Sequence, residues 1–328
     1  MENNNSVAAL QVIDLKVHFP IRQGVFGKVT GQVKAVDGIS FDVRPGEVFA
    51  LVGESGCGKT TAAKAVLGLE HITAGDVKLG LGPWKRKSVS WPELGAADRR
   101  KLRRHIQIVF QDPASSLDPR MTVRQIIEEP LALHGVDNRD TRLRDLLDQV
   151  GLSPSYLERY PHEFSGGQQQ RIGIARALAT GPEMIIADEP VSALDVSIQA
   201  QIINLLDDLR RQYNQSLLFI SHDLAVVRHV ARRMAVMYLG RIMETGTEKQ
   251  IYGNPQHPYT HTLLESVPVP GKGRTSKRNL PPEEKSLGDA EKGCPFYPRC
   301  KERASQCREG APSLKDIGEG HLVACIRR

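Results

Sequence analysis

The chain has 328 residues, 40% hydrophobic and 25% charged; at roughly 100–200 residues per domain this reads as about two domains with a packed core, and wholesale disorder is excluded. Its longest apolar runs, such as residues 184–187 and 217–220, fall far short of the about 18 residues a membrane-spanning helix needs, and no basic start leads into an apolar stretch like that of a secretory signal. The net charge of 44 − 38 = +6 is unevenly spread: residues 84–104 hold 8 Lys/Arg against 2 Asp/Glu and residues 271–328 hold 13 against 8, which leaves about −5 for the rest.

Residues 10–19 partly alternate apolar with polar and predict a strand, and residues 20–32, rich in Gly and basic residues, predict a loop. Residues 48–52 form a short apolar run between Pro45-Gly46 and a glycine cluster, the pattern of a buried strand running into a phosphate-type loop. Residues 60–69 follow with helical spacing. Residues 80–104 are polar, basic and turn-rich; such a segment faces nucleic acid or anionic lipid, or is simply a solvated surface, and with aromatics at 5% a stacking platform for single strands is disfavoured. Residues 106–110 predict a strand, 121–150 helix, 166–178 helix, 184–187 a buried strand, 196–213 helix and 217–220 another strand, then a short helix and a hairpin around Gly240. Strands alternating with helices imply a largely parallel, helix-covered sheet, and residues 131–163 interrupt that alternation with helices only. From about residue 254, Pro255, Pro258, Pro268, Pro270, Pro281 and Pro282 predict a linker, and Cys294, Cys300, Cys307 and Cys325 cluster beyond it.

Gly53-Glu54-Ser55-Gly56-Cys57-Gly58-Lys59-Thr60 fits GxxxxGK[ST] and stands between a predicted strand and a predicted helix. The glycines let successive backbone N–H groups curl around phosphate oxygens, and the helix that follows presents unpaired N–H groups and a positive end. Lys59 supplies a point charge to the β/γ-phosphates and the Thr60 hydroxyl a ligand for Mg²⁺; Thr61 extends the set at the helix start. The apolar run 184–187 ends in Asp188 and Glu189, which places Asp188 to reach Mg²⁺, directly or through water, and Glu189 to act as general base on water.

Phe164-Ser165-Gly166-Gly167-Gln168, followed by Gln169-Gln170-Arg171 and lying 18–24 residues before Asp188-Glu189, resembles the signature motif of ABC transporter ATPases. Other pieces of that family stand in order: Gln111 matches the Q-loop, Ser192-Ala193-Leu194-Asp195 the D-loop and His222 the switch histidine. The resemblance covers roughly residues 8–250. It implies an α/β P-loop ATPase fold with a helical subdomain at about 112–165, and two such domains enclosing two ATP molecules head to tail, each between one chain's phosphate loop and the other's Ser165, Gly166, Gly167 and Gln168. It also implies a γ-phosphate contact from His222, a Mg²⁺ and sensing role for Gln111, and an adenine-stacking aromatic, which is Phe19 or else Phe26. Phe164 stands where Leu is commoner, apolar for apolar. Cys57 fills a position where many relatives have Ser; it is either an unreactive small residue or a thiol that makes ATP binding sensitive to reagents.

Gln256-His257-Pro258-Tyr259-Thr260, with Cys294, Cys300, Cys307 and Cys325, resembles the C-terminal extension of the oligopeptide/dipeptide importer ATPases. The division expected is an ATP-binding domain over 1–258 and an extension over 259–328. The cysteine gaps are wider than the 2–4 residues usual within a structural zinc pair, and four thiolates suit a [4Fe–4S] cube; zinc and four free thiols stay open as alternatives. The resemblance further implies a peripheral subunit on the cytoplasmic face of the membrane. Its partners would be a second ATPase subunit (itself or a paralogue), two permease subunits and an extracytoplasmic solute-binding protein, with no nucleic acid. The cargo would be peptide, or else a nickel complex, glutathione or sugar. A soluble ABC ATPase acting on DNA or ribosomes is a different class, but such proteins carry long coiled-coil insertions or two cassettes, and this chain has one cassette without such a coil. An iron–sulfur protein using ATP as a switch is another; Glu189 and His222 argue for turnover instead.

Overall fold

The structure is a computed structural model that describes residues 7–24, 28–266 and 293–328. β1 (Leu10–Gln23) runs antiparallel to β2 (Lys28–Val43), and β3 (Val48–Val52) leads into α1 (Lys59–Val66). β4 (Ala74–Leu79) and β5 (Val89–Ser90) then complete an antiparallel sheet in the order β2-β1-β4-β5. Much of the loop expected at residues 20–32 is therefore strand: Pro20 pairs with Gln32, Ile21 with Gly31 and Gln23 with Lys28. This end of the ribbon is largely exposed and lacks the half-buried alternation that marks a strand in sequence. Phe26 lies outside the described residues.

The basic, turn-rich segment contains a helix, α2 (Ala96–His105), which leaves no apolar periodicity in the sequence because Leu102 is its only buried residue. After β6 (Ile106–Val109) come α3 (Pro113–Ser116), α4 (Val123–Leu133), α5 (Arg139–Gln149) and α6 (Gly166–Leu178), with no described strand before β7 (Met184–Asp188). At the start of α4, Thr122 and Gln125 cap each other reciprocally. α7 (Val196–Tyr213), β8 (Ser216–Ser221), α8 (Leu224–Val230), β9 (Arg233–Tyr238) and β10 (Arg241–Thr247) follow, then α9 (Glu248–Gly253), α10 (Pro258–Glu265), β11 (Lys315–Asp316) and β12 (Leu322–Val323).

The second sheet has the order β11-β12-β10-β9-β3-β8-β7-β6. β9, β3, β8, β7 and β6 are mutually parallel, as expected, and β10, β12 and β11 add an antiparallel edge. The parallel strands are apolar along their length because both faces are covered. In β3, Val48, Ala50 and Val52 face the core shared with the helical segment, while Phe49 and Leu51 face the core shared with the antiparallel sheet. The carboxyl ends of β3 and β7 thereby deliver the phosphate loop and the two acids to one edge of the sheet.

The linker expected from residue 254 is overturned over 258–265 by α10, where Pro258 occupies the first turn that tolerates it. Pro268, Pro270, Pro281 and Pro282 lie outside the described residues. Residues 293–328 pack on the rest of the chain: β12 pairs with β10, and Phe296 is 1% exposed within the main core. Glu244, fully buried on β10, accepts the backbone N–H groups of Gln256 and His257 and lies 2.7 Å from His321 Nε2.

Candidate functional site

Residues 53–58 turn between β3 and α1 through three glycines, and at Gly53 and Gly58 a Cβ would run into a backbone carbonyl oxygen. Gly58 has φ 106°, and a Cβ there would lie 2.0 Å from the Ala35 carbonyl oxygen. The loop is held from both sides: Gly240 N–H donates to the Cys57 carbonyl at 2.9 Å, and Glu54 N–H donates to the Tyr259 hydroxyl at 3.0 Å. Lys59 is 4% exposed; its Nζ donates to the carbonyls of Gly53 and Glu54 at 2.9 Å each and lies 3.6 Å from Glu189. Cys57 is 3% exposed, and burial pushes its thiol pKa up, with Lys59 pulling the other way.

From the end of β7, two strands away from β3 in the sheet, Asp188 Oδ1 accepts the Thr60 hydroxyl at 3.1 Å. Burial raises the Asp188 pKa above the usual carboxylate range, and the Thr60 hydrogen bond opposes this. Glu189 sits in the left-handed region at φ 46°, a conformation that costs a non-glycine residue roughly 1–2 kcal/mol, and its N–H is fixed on the Ile220 carbonyl at 2.9 Å. This bend carries the Glu189 carboxylate to Lys59, His222 and Gln111. His222 Nδ1 lies 3.0 Å from Oε2, and Gln111 Nε2 donates to the same oxygen at 3.2 Å. Three sequence-distant residues expected at one site, Lys59, Gln111 and His222, thus converge on the carboxylate of a fourth. Thr60 and Asp188 are hard oxygen donors of the kind Mg²⁺ takes.

Ser165, Gly166, Gly167 and Gln168 form the start of α6. Gln168 Oε1 accepts the Ser165 N–H at 3.0 Å, and Ser165 and Gly166 are exposed. A Cβ at Gly167 would lie 2.6 Å from Ile198 Cγ2, so α7 presses this turn from behind. Among the described residues, no hydrogen bond or ion pair joins this turn to residues 53–60 of the same chain. Phe164 is buried and packs edge-on against Tyr156, so the apolar requirement at that position is met. Phe19 is 38% exposed on the β1–β2 ribbon opposite Val33.

Cys294, Cys300, Cys307 and Cys325 all line one cavity, with His257 and Phe296 at its wall. Burial pushes the Cys294 thiol up to about 11, and the nearby thiols of Cys307, Cys300 and Cys325 add to it. Among the described residues no group of three His, Cys, Asp or Glu side chains converges tightly enough to hold a metal ion. Sequence reasoning missed Arg299 altogether: its guanidinium forks onto Glu54 of the phosphate loop, Nη1 to Oε2 and Nη2 to Oε1, both at 2.8 Å. The two residues are 245 positions apart, and no local pattern announces their meeting.

Residues 36–192 match the ABC transporter family, and residues 243–307 match the C-terminal region of oligopeptide/dipeptide transporters. The chain is 49% identical to the oligopeptide transport ATP-binding protein AppF of Bacillus subtilis (strain 168), over 98% of each chain. It is 46% identical to the oligopeptide transport ATP-binding protein OppF of Salmonella typhimurium (strain LT2), over 97% of this chain and 96% of the relative. The solved dimer of the ATP-binding cassette MJ0796, in a post-hydrolysis state bound to ADP and Pi, is similar with a TM-score of 0.62 and 26% identity, covering 73% of this chain and 98% of that one.

Proposed function

The chain belongs to the ABC transporter family as an oligopeptide/dipeptide-type ATP-binding subunit, and from that premise we propose the roles of its residues. The reaction is ATP hydrolysis that powers peptide import; relatives named for oligopeptide transport favour peptide over a nickel complex, glutathione or sugar. Residues 53–61 would cradle the phosphates through backbone N–H groups and the Lys59 charge, and Phe19 would stack on the adenine. Mg²⁺, held by Thr60 and Asp188 with Gln111 nearby, would neutralise phosphate charge. Glu189 would take the proton from a water whose oxygen bonds to the γ-phosphorus as the bond to the β-phosphate oxygen breaks and ADP leaves. His222 and Gln111, both on the Glu189 carboxylate, would align it and meet the γ-phosphate. The observation that carries this reading is the convergence of Lys59, Gln111 and His222 on Glu189 beside the Thr60–Asp188 pair.

Ser165, Gly166, Gly167 and Gln168 would close on the ATP of a second subunit, itself or a paralogue. The exposure of Ser165 and Gly166 supports this, as does the absence, among the described residues, of a hydrogen bond or ion pair from the turn to its own phosphate loop. Two permease subunits and an extracytoplasmic binding protein complete the proposed assembly. Among the described residues no helix is long and apolar enough to cross a membrane, so membrane attachment would come through the permeases, at the cytoplasmic face. The four thiols around one cavity suit a [4Fe–4S] cube.

The experiment is to co-express the chain with candidate permease subunits and measure ATP hydrolysis in the purified complex, with and without binding protein and peptide. Hydrolysis stimulated by loaded binding protein, and lost with ATP affinity in Lys59→Ala, is expected. A Lys59→Ala chain that binds MgATP like the parent would overturn the phosphate-site assignment.

A further inference from the structure

We infer that Arg299 is a positioning residue of the ATP site, which acts by holding Glu54 of the phosphate loop from the C-terminal side. The inference rests on the phosphate-loop reading of residues 53–60. Glu54 is gripped twice: its carboxylate by both Nη atoms of Arg299, and its N–H by the Tyr259 hydroxyl. The Arg299 side chain is 7% exposed and lies 5.6 Å over the Tyr238 ring and 5.8 Å over that of Phe296. Tyr238, Tyr259 and Phe296 pack on one another with ring centroids 4.6–5.4 Å apart. Arg299 therefore reaches the loop from a rigid apolar bed. A planar fork on a carboxylate fixes orientation as well as distance.

The electrostatics give the contact a sign. A loop that must receive several phosphate charges carries a carboxylate at its second position. Arg299 neutralises it and turns it toward the C-terminal segment. Without Arg299, Glu54 would be a free negative charge in the loop that binds an anion, and the loop would lose one of its two anchors on that side. Arg299 also lies between Cys294 and Cys300, on the turn Tyr297–Arg299 at the edge of the thiol-lined cavity. The pose of that turn, and so the grip on the phosphate loop, is set by the segment that carries the cysteines.

The test titrates MgATP into the purified full chain and follows hydrolysis in the permease complex. Arg299→Ala is expected to weaken ATP binding roughly ten- to a hundredfold, the range of a charged hydrogen-bonded contact, and to raise KM for ATP with little change in kcat. Adding Glu54→Gln to Arg299→Ala is expected to restore much of the affinity, because it removes the uncompensated charge; a purely structural role for Arg299 predicts no such rescue. Arg299→Lys, which keeps charge but not the fork, should fall between, and serves should the alanine variant not fold. Parental ATP affinity in Arg299→Ala, or a double variant weaker than Arg299→Ala alone, overturns the inference. Lys59→Ala distinguishes the two levels: if it loses ATP while Arg299→Ala does not, only the Arg299 inference fails.

Discussion

His222 Nδ1 lies 3.0 Å from Glu189 Oε2, across a contact 33 residues long in sequence. The same oxygen accepts Gln111 Nε2, and the other is 3.6 Å from Lys59 Nζ. Glu189 is 8% exposed, and its left-handed backbone holds the carboxylate there. Strain of this kind persists only where the surroundings overdetermine it. Here the Ile220 carbonyl fixes the N–H, and the Ser192 N–H and hydroxyl both donate to the Glu189 carbonyl, at 3.2 and 3.1 Å.

Glu189→Gln keeps the shape and the reach to His222 and Lys59 but removes the proton acceptor. It is expected to bind MgATP like the parent and to hydrolyse it about 10²–10⁴-fold more slowly, the usual contribution of a general base. Parallel equilibrium-binding and single-turnover measurements check both halves. Loss of binding would move Glu189 from catalysis to a role in holding the loop.

The limits of sequence legibility follow from how far apart cause and effect lie along the chain. β3, β7 and α7 were readable because buried parallel strands and amphipathic helices carry their environment in local apolar runs. The phosphate loop was readable because its glycines and Lys59 must be contiguous. The ribbon end at residues 20–32 and α2 are not legible in the sequence because both are mostly solvated, so burial leaves no periodic mark. α10 hides in the sequence because Pro258 signals a break when taken alone but suits a first helical turn when followed by apolar residues. The grip of Arg299 and Tyr259 on Glu54 lay beyond any local pattern.

Ser165→Arg puts bulk and charge at the exposed start of α6, where Gly167 is already pressed by Ile198. Among the described residues the turn shares no hydrogen bond or ion pair with its own phosphate loop, so ATP affinity of the isolated subunit should stay near parental. ATP-dependent pairing of subunits, measured by light scattering in the Glu189→Gln background, should be lost, and transport with it. Normal pairing would show that this turn does not face the partner's nucleotide.

Cys57 should resist alkylation. Its side chain is buried, and burial raises its pKa, so the thiolate fraction at pH 8 lies below that of a free cysteine and the reactive form is shielded. After brief iodoacetamide treatment of the native chain at pH 8, peptide mass spectrometry should find Cys57 unmodified, with labelling growing only as pH rises well above the ordinary thiol pKa or on unfolding. Rapid labelling at pH 7 would make the phosphate loop a thiol-sensitive site after all.

The cysteine segment carries two linked predictions, one for its thiols and one for the phosphate loop. Cys294, Cys300, Cys307 and Cys325 share one cavity, and the turn between the first two carries Arg299 to the phosphate loop. Chain purified without oxygen is expected to contain about four irons per chain with broad visible absorbance. Replacing any one of the four cysteines by Ser should remove a thiolate ligand and lose the iron. Because Lys59, Asp188, Glu189 and His222 lie on other elements, hydrolysis should survive in part. Because Arg299 is held by this segment, KM for ATP should rise, by no more than in Arg299→Ala. One zinc and no iron would replace the cube with a different structural ion and leave the link to the loop intact. Neither metal would leave the hold on Arg299 to β12, Phe296 and the Glu244–His321 contact alone, and the serine variants should then show parental KM.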